Sequence, residues 1–336
     1  MRRTTIVCIL LSAMIIGSVS IGGFAAAKAE FTLQFASAAA SAGTSGKVMN
    51  FIKESLEKGS NGRIAVELYG DASLGGDREL LESCQAGTIA MVDQATSPQV
   101  SFIKEVGVFD IPGVLTDIDQ TIRFLQGPFF DYMQKYYEKA GVRLLRMAPS
   151  GFRELSSNKE IRSFEDIKGL KLRTMENQYH MAFWKACGAN PTPLAFGELY
   201  IALQQGLVQA QENPIEVMTA SKFIEVQKYL IMTHHITFVG TTIMNLKQWN
   251  SLPAELKTLV NDTMKKATVF QNETRIAAEA TVKKALIDYG REIIELKPAD
   301  FAKMKEAAKV VIEMVGKNLG NEIVEKFLAE YEAAKK

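Results

Sequence analysis

Apolar positions along the chain change their period repeatedly after about residue 30, so the amino-terminal half alternates between strand-like and helix-like segments. Short apolar or alternating runs at residues 31–36 and 64–68 predict strands, because strand side chains point to alternate faces. Residues 46–56 and 80–86 instead repeat apolar side chains at helical spacing, and a glycine lies just beyond each segment. Since the alternation continues to residues 142–147, this half is predicted to be an α/β domain with a largely parallel sheet.

A second block with the same organisation follows directly. Residues 170–173 form a predicted strand, and residues 178–186 form a predicted helix that a glycine ends. Further along, Asn213 is placed as the N-cap of another helix and Pro214 as its first residue, because these residue types are favoured at those positions. The block therefore predicts a second α/β lobe.

A stretch without glycine or proline extends over residues 254–289 and predicts one long helix. Such a helix is about 54 Å long at 1.5 Å per residue, which exceeds the width of one lobe of this size. Two α/β lobes braced by a shared long helix predict a clamshell with a cleft between the lobes, in which the chain crosses near Gly151 and His235. The predicted boundaries are 30–150 for lobe I, with about 239–275 returning to it, and 151–238 for lobe II, with about 276–336 packing across it.

The first 29 residues have the layout of a secretory signal peptide. Arg2 and Arg3 precede an uncharged stretch at residues 4–27, and Ala27-Lys28-Ala29 supplies the small residues that a cleavage enzyme recognises. An uncleaved membrane anchor is the alternative, because the uncharged stretch is long enough to span a bilayer. The second half of the stretch is rich in glycine, serine and alanine, and no basic cluster follows it. These features favour cleavage and a periplasmic location.

Charge content limits the kinds of partner that the protein can bind, and cysteine content predicts the state of its thiols. The chain has 39 lysines and arginines against 38 acidic residues, a net charge of +1 and no basic block, which argues against a nucleic-acid partner. Its 47% hydrophobic and 23% charged residues are typical of a globular protein. Once Cys8 is removed with the signal peptide, only Cys84 and Cys187 remain, and we expect both to be free thiols.

Sequence signatures of catalysis are missing. No G-x-G-x-x-G follows a strand, and neither a P-loop nor a G-x-S-x-G elbow occurs. Besides His180, the histidines are His234 and His235, and two adjacent side chains cannot point the same way on a regular strand. We therefore expect a protein that is not an enzyme, uses no cofactor and has no metal-ligating residues; whether a metal accompanies its ligand is left open by the sequence.

Two polar residues at the ends of predicted elements are candidates for anion binding. Arg173 ends a strand whose Leu170 and Leu172 face the other way, and arginine can bind a carboxylate through two parallel hydrogen bonds. Asn213 lies where the N–H groups and the dipole of a following helix favour an anion. Each has an ordinary alternative, since Arg173 could form a surface ion pair and Asn213 could be a simple cap.

A series of short motifs follows in a fixed order along the chain. They are Gly62-Arg-Ile64, Leu74-Gly-Gly-Asp-Arg-Glu79, Gly151-Phe-Arg153, Gly169-Leu-Lys-Leu-Arg173, Gly188-Ala-Asn-Pro-Thr-Pro193, Ala195-Phe-Gly-Glu-Leu-Tyr200, Ala202-Leu-Gln-Gln-Gly206, Gln211-Glu-Asn-Pro214 and Glu225-Val-Gln-Lys-Tyr-Leu230. This order resembles the substrate-binding subunits of tripartite ATP-independent periplasmic (TRAP) transporters, the DctP-type family. The resemblance covers nearly all of the chain from Glu30 to about Gly290.

The resemblance implies a periplasmic-binding-protein-like clamshell of two α/β lobes, with a long helix spanning both and a cleft that closes over one ligand, usually a carboxylate. By motif position, Arg173 resembles the arginine that grips the ligand carboxylate, and Arg153 resembles a second ligand-facing arginine. The other implied substrate-binding residues are Asn213, which resembles the family's ligand-facing asparagine, Phe196 at the pocket wall, and three positions that vary with the ligand, Asp77, Thr96 and Glu176.

The implied function is an exported solute-binding protein, expected to be a monomer, that captures a small organic acid and delivers it to the membrane subunits of a TRAP-type secondary transporter. An exported receptor that senses an organic acid and signals through a membrane kinase is the alternative. Two departures leave the ligand open. Gln209 and Ala210 replace an aspartate and a glycine that are common in the family. Ser37 and several alanines stand where many members have a histidine, which predicts a small or apolar pocket wall.

Overall fold

The structure is a computed structural model that describes residues 29–335 of the 336-residue chain. The predicted signal peptide, residues 1–29, therefore lies outside the described residues except for Ala29. Across residues 29–335, none of the helices has both the length and the apolar character that a membrane span requires.

Residues 29–335 form nine strands, thirteen α-helices and four short 3-10 helices. The strands are β1 (Phe31–Ala36), β2 (Ile64–Tyr69), β3 (Met91–Ala95), β4 (Val142–Ser157), β5 (Lys171–Thr174), β6 (Asn190–Pro193), β7 (Ala210–Asn213), β8 (Tyr229–Asn245) and β9 (Glu292–Glu295). The α-helices are α1 (Thr44–Gly59), α2 (Asp77–Ala86), α3 (Ile118–Leu125), α4 (Pro128–Lys139), α5 (Gln178–Ala186), α6 (Leu199–Gln204), α7 (Ile215–Ala220), α8 (Phe223–Val226), α9 (Leu246–Ser251), α10 (Ala254–Asp288), α11 (Pro298–Ala307), α12 (Lys309–Leu319) and α13 (Asn321–Ala333). The 3-10 helices are Ser97–Ser101, Lys104–Asp110, Phe164–Ile167 and Phe196–Glu198.

The α/β alternation predicted for the amino-terminal half is confirmed. Strands β1 and β2 cover the two predicted strand segments, and helices α1 and α2 cover the two predicted helices. Helix α2 ends as expected at Gly87, whose φ of 86° lies in the left-handed region that a glycine adopts without steric cost.

All nine strands belong to one mixed sheet in the order β2-β1-β3-β8-β4-β7-β5-β6, with β9 paired to β8. The outer strands are parallel, since β1 pairs in parallel with β2 and β3, and β5 with β6 and β7. The middle of the sheet is antiparallel, because β8 runs opposite to both β3 and β4. The prediction of a largely parallel sheet was therefore wrong for the centre, where the chain passes along β4 and returns along β8.

Strands β4 and β8, with 16 and 17 residues, carry the chain from one lobe to the other and back. The predicted crossing points, Gly151 and His235, lie inside these strands and not in loops between domains. The ladder between the two strands is irregular there, with register shifts between Pro149 and Phe152 and again between Arg153 and Leu155. The architecture is a two-lobed clamshell whose lobes share two strands, and the lobe boundaries stay a prediction.

Helix α10 is the long helix predicted from the glycine- and proline-free stretch, and its 35 residues match the predicted bounds to within one residue. Its amino-terminal part, including Leu256 and Val260, is buried in a core with helix α1. Its carboxyl-terminal part places Val282 and Leu286 in a separate core with helices α6, α7 and α8. The helix is therefore held by a different hydrophobic core near each end, so it braces both lobes.

Both cysteines of residues 29–335 are buried free thiols, and burial raises the pKa of each to about 12. For a chain beginning at Glu30, we expect no reaction with a thiol reagent at pH 8 while the protein is folded, because the reactive species is the thiolate. After unfolding without reductant, both Cys84 and Cys187 should react. Titration in buffer and in guanidinium chloride measures this, and an unfolded monomer with no reactive thiols would contradict it.

Candidate functional site

A cavity of about 90 Å³ lies between the two lobes, next to the strands that they share. The loop after β1 lines one side with Ser37 and the alanines at 38–40, which agrees with the predicted small or apolar wall. The remaining lining residues are Gly43, Thr44, Ser45, Asp77, Asp93, Gln94, Ala95, Arg146, Ser150, Met175, Phe196, Asn213, Glu216, Val217, Ala220, Ser221, Phe238, Gly240 and Gln271. Eleven of the 23 lining residues precede β4 in the chain, and α7 contributes Glu216, Val217 and Ala220.

Three of the seven residues predicted to bind substrate line this cavity, namely Asp77, Phe196 and Asn213. Arg173 and Arg153 lie behind aromatic rings of the wall, since the Arg173 guanidinium carbon is 6.0 Å from the centre of the Phe196 ring and that of Arg153 is 5.4 Å from the Phe238 ring. The structure does not bring the other two into the lining. Thr96 is buried against the backbone of β8, and Glu176 is exposed just after β5.

Arg173 is almost fully buried, with 1% of its surface exposed, on strand β5. Its Nε and Nη2 donate to the carbonyl oxygen of Leu194 at 2.9 and 2.6 Å, while Nη1 is buried with no partner among the described residues. Burial and the positive charge of Arg153 lower the pKa of Arg173 to about 10. Within residues 29–335, the group is thus a cation at neutral pH that has one unused donor nitrogen and no carboxylate in direct contact.

Arg153 is buried to the same degree, but it has a carboxylate partner. Its Nε and Nη2 donate to the carboxylate of Glu212, with Nη2 3.0 Å from Oε1, and its Nη1 is buried without a partner in the described part of the chain. Glu212 also lies 3.1 Å from Nε2 of His235 and 3.5 Å from Nδ1 of His180. Burial alone would raise the pKa of Glu212, but Arg153 and the two histidines hold it well below its ordinary value.

His180 links this cluster to lobe I. Its Nε2 lies 3.0 Å from Oδ1 of Asp110, and Asp110 also accepts hydrogen bonds from Ser97 and Asn177. Burial would lower the pKa of His180, but its contacts with Asp110 and Glu212 outweigh that effect and raise it to about 9. A protonated histidine therefore sits between two buried carboxylates, and a continuous polar chain leads from the lobe I interior to Arg153.

Sequence reasoning missed an arginine that lines the cavity itself. Arg146 on β4 is buried and donates to Asp93 Oδ2 at 2.9 Å, to Thr242 Oγ1 at 3.1 Å and to Gln271 Oε1. Asp93 also accepts from Ser45 Oγ at 2.6 Å. Arg146 is one of three arginines in β4, so its place in the strand did not distinguish it in the sequence.

Asn213 is not the helix cap that the sequence predicted. It ends strand β7, where it pairs with Glu154, and the N-cap of α7 is Pro214, with φ of −58° and ψ of 144°. The prediction was wrong by one residue because the strand ladder keeps Asn213 extended. Its Nδ2 donates to Gln211 Oε1 at 2.7 Å, so the amide faces the cavity as a side chain supported by β7.

Asp77 is the first residue of helix α2, and no hydrogen bond or ion pair from residues 29–335 reaches its carboxyl. Burial raises its pKa to about 6, and the carboxylates of Glu176, Asp93 and Glu79 act in the same direction against the attraction of Arg173. The cavity thus contains a carboxyl group that changes charge just below neutral pH.

Comparison with known proteins gives consistent matches over most of the chain. The family model for bacterial extracellular solute-binding protein, family 7, matches residues 35–318. A solute-binding protein of Verminephrobacter eiseniae is 31% identical over 302 residues, which are 87% of this chain and 90% of that protein.

Two solved structures have the same fold over nearly their whole length. The sugar acid binding protein DctPAm of Advenella mimigardefordensis, solved with galactonate, has a TM-score of 0.87 and 28% identity over 90% of this chain and 98% of that one. A TRAP periplasmic solute binding protein of Polaromonas sp. JS666, bound to D-erythronate, has a TM-score of 0.84 and 32% identity over 89% and 98%.

We expect Asp77→Asn to stabilise the ligand-free protein at pH 7.5. The folded pKa of about 6 lies above the ordinary value of 3.8, so the native state binds more protons in this window and stability falls as pH rises through it. Removing the charge should raise the free energy of unfolding by about 1 kcal/mol at pH 7.5, after allowing for the favourable position of an acid at a helix N-terminus. Near pH 4 this gain should disappear.

Urea unfolding from pH 4 to 8 measures the effect. Asp131→Asn, at an exposed position of α4, is the matched control and should show no comparable change in this pH window. A gain from Asp77→Asn that is equally large at pH 4 and pH 7.5 would contradict the role of this partly buried charge.

Proposed function

The chain belongs to family 7 of the bacterial extracellular solute-binding proteins, and from that premise we propose that it captures a small organic carboxylate between its lobes and delivers it to the membrane subunits of a TRAP transporter. The observation that carries this proposal is the pair of buried guanidinium groups of Arg153 and Arg173, each with an unused Nη1 donor. The family consists of substrate-binding transport proteins, and we propose binding without turnover for this chain as well.

A carboxylate is the ligand group that best fits the two arginines. They repel each other strongly enough for Arg153 to contribute to the lowered pKa of Arg173, and an anion near both Nη1 atoms would offset this repulsion. Hydrogen bonds between guanidinium and carboxylate are charge-assisted and are about twice as strong as neutral ones. The buried setting keeps water from competing for these donors.

The same proposal includes the position of the ligand, the location of the protein and its oligomeric state. We place the ligand carboxylate at Arg173 and Arg153, with Asn213 and Phe196 beside it and Asp77 on the lobe I side, while Thr96 and Glu176 lie farther from the cavity. The mature chain is proposed to be a periplasmic monomer that begins near Glu30. The sensing receptor considered as an alternative gains no support from the relatives named above, since none of their names points to signalling.

We expect Arg173→Lys to weaken binding of a carboxylate ligand by about 30- to 1000-fold, or about 2–4 kcal/mol. Lysine keeps the charge but cannot donate to Leu194 and to the ligand with the same planar geometry. Isothermal titration calorimetry, with a ligand found by thermal-shift screening of organic acids, measures the loss.

The control is Arg162→Lys. Arg162 is an exposed arginine of lobe II that pairs with Glu160 and Glu292, so its substitution removes no buried hydrogen-bond donor. It should bind the ligand as the parent does. The melting temperature of each ligand-free variant shows whether it is folded. A folded Arg173→Lys protein with an affinity within threefold of the parent would refute the assigned role.

We also expect ligand binding to bring the lobes together as nearly rigid bodies, because β4, β8 and α10 connect them and the two ends of α10 lie in separate hydrophobic cores. The radius of gyration measured by small-angle X-ray scattering should fall on saturation. Stability should rise by about 2.7 kcal/mol when ligand exceeds its dissociation constant a hundredfold. Arg173→Lys at the same ligand concentration is the control, and an unchanged radius with a raised melting temperature would contradict closure.

A further inference from the structure

The cavity wall away from the two arginines offers an uncharged side chain whose hydrogen-bonding groups are unused. Gln94, at the end of β3, is 5% exposed, and neither its Nε2 nor its Oε1 has a partner in the described part of the chain. The hydroxyl of Thr44, at the start of α1, is likewise buried and unpaired. Both residues line the cavity. Such groups suit a ligand atom that can donate and accept at once, which a hydroxyl does.

Charged groups on the same wall are either neutralised already or negative. Among the described residues that line the cavity, Arg146 is the only basic one, and all three of its guanidinium nitrogens donate within the protein. Asp93 is its partner, and Glu216 accepts the backbone N–H of Thr44 at 2.8 Å. Asp77 has no cationic partner in direct contact within residues 29–335. A second carboxylate on a ligand would therefore meet acidic groups and find no free cation within this lining.

From these two observations we propose that the cavity selects a hydroxylated monocarboxylate and discriminates against a dicarboxylate of the same length. The proposal rests on the proposed function, because the first carboxylate is held by Arg173 and Arg153. Gln94 then forms hydrogen bonds with a hydroxyl of the ligand through both Nε2 and Oε1 of its amide, and Asp77 repels a second anionic group. The alanines at 38–40 limit the bulk that the ligand body can have.

An ammonium group is the competing occupant of this wall, since Asp77 would attract it. It fits Gln94 less well, because an ammonium only donates and would leave the Nε2 donor of Gln94 without a partner. A hydroxyl uses both amide atoms. The argument therefore favours a hydroxyl, and the ammonium is an outcome that the test can detect.

Matched acids separate these possibilities on the chain beginning at Glu30. Erythronate and meso-tartrate share a carbon chain and differ at one end, which is a hydroxymethyl group in the first and a carboxylate in the second; galactonate and galactarate form the same kind of pair with six carbons. A third pair, 4-hydroxybutanoate and 4-aminobutanoate, compares a hydroxyl with an ammonium. Calorimetry at pH 7.5 should give the hydroxyl member of the best-binding pair an affinity at least about tenfold higher.

Two variants connect the preference to the named residues. Gln94→Leu keeps the volume and removes both polar atoms, so it should weaken the preferred hydroxy acid about tenfold while butanoate, which lacks the hydroxyl, changes little. Asp77→Asn should raise the affinity for the dicarboxylate of the same pair and so reduce the difference in affinity between the two acids. Gln126→Leu, at an exposed position after α3, is the matched control and should leave every affinity unchanged.

The outcomes distinguish this inference from the proposed function. If a dicarboxylate or 4-aminobutanoate binds as tightly as its hydroxy partner and Arg173→Lys still abolishes binding, the inference is overturned and carboxylate capture stands. Equal weakening of butanoate and the hydroxy acid by Gln94→Leu would also overturn it, since that pattern marks a structural role. If no acid binds, or binding does not depend on Arg173, carboxylate capture itself fails and the inference fails with it.

Discussion

Two guanidinium groups buried beside the cavity impose the constraint on which the rest of the site depends. Arginine stays protonated at neutral pH. The free-energy cost of burying its charge must therefore be offset by hydrogen bonds or ion pairs within the folded protein. In the described part of the chain, Arg153 is paired with Glu212, whereas Arg173 contacts only the carbonyl oxygen of Leu194. Each retains one unpaired nitrogen, and the protein keeps this unfavourable arrangement just behind the wall of its cavity. In the binding role that we propose, ligand affinity comes from pairing these donors, which the fold leaves without partners.

The polar chain behind the arginines distributes the cost of burying charge over residues of both lobes. Glu212 is tied to His180 and His235, and His180 is tied to Asp110, so positive and negative groups alternate from Arg153 into the lobe I side. Removing one member of such a chain leaves an uncompensated buried charge, which typically costs about 3–5 kcal/mol. Because of this coupling, we expect substitutions in the polar chain behind the arginines to lower the stability of the fold.

Local pattern predicted the elements well and their arrangement less well. Helix α10 was predicted to within one residue because the absence of glycine and proline over 35 residues is an unambiguous signal. The antiparallel centre of the sheet was not predictable from local pattern, because the direction of β8 relative to β3 is set by contacts far apart in sequence. The same holds for the site. Motif position pointed to Arg173, but Gln94 and Arg146 look like ordinary strand residues until the fold shows that one is unpaired and the other fully paired.

The position of β8 has a consequence for how the molecule can be assembled. It lies between β3 and β4, so Asp93 pairs with Thr242 and Arg146 pairs with the same residue on the other side. The amino-terminal strands therefore lack their central partner until nearly three quarters of the chain has been made, and a fragment that stops earlier keeps two open sheet edges that invite aggregation. Contacts of such long sequence separation are formed late and slowly. The two lobes are separate in shape but not in folding, and neither could be exchanged between relatives as a contiguous piece of sequence.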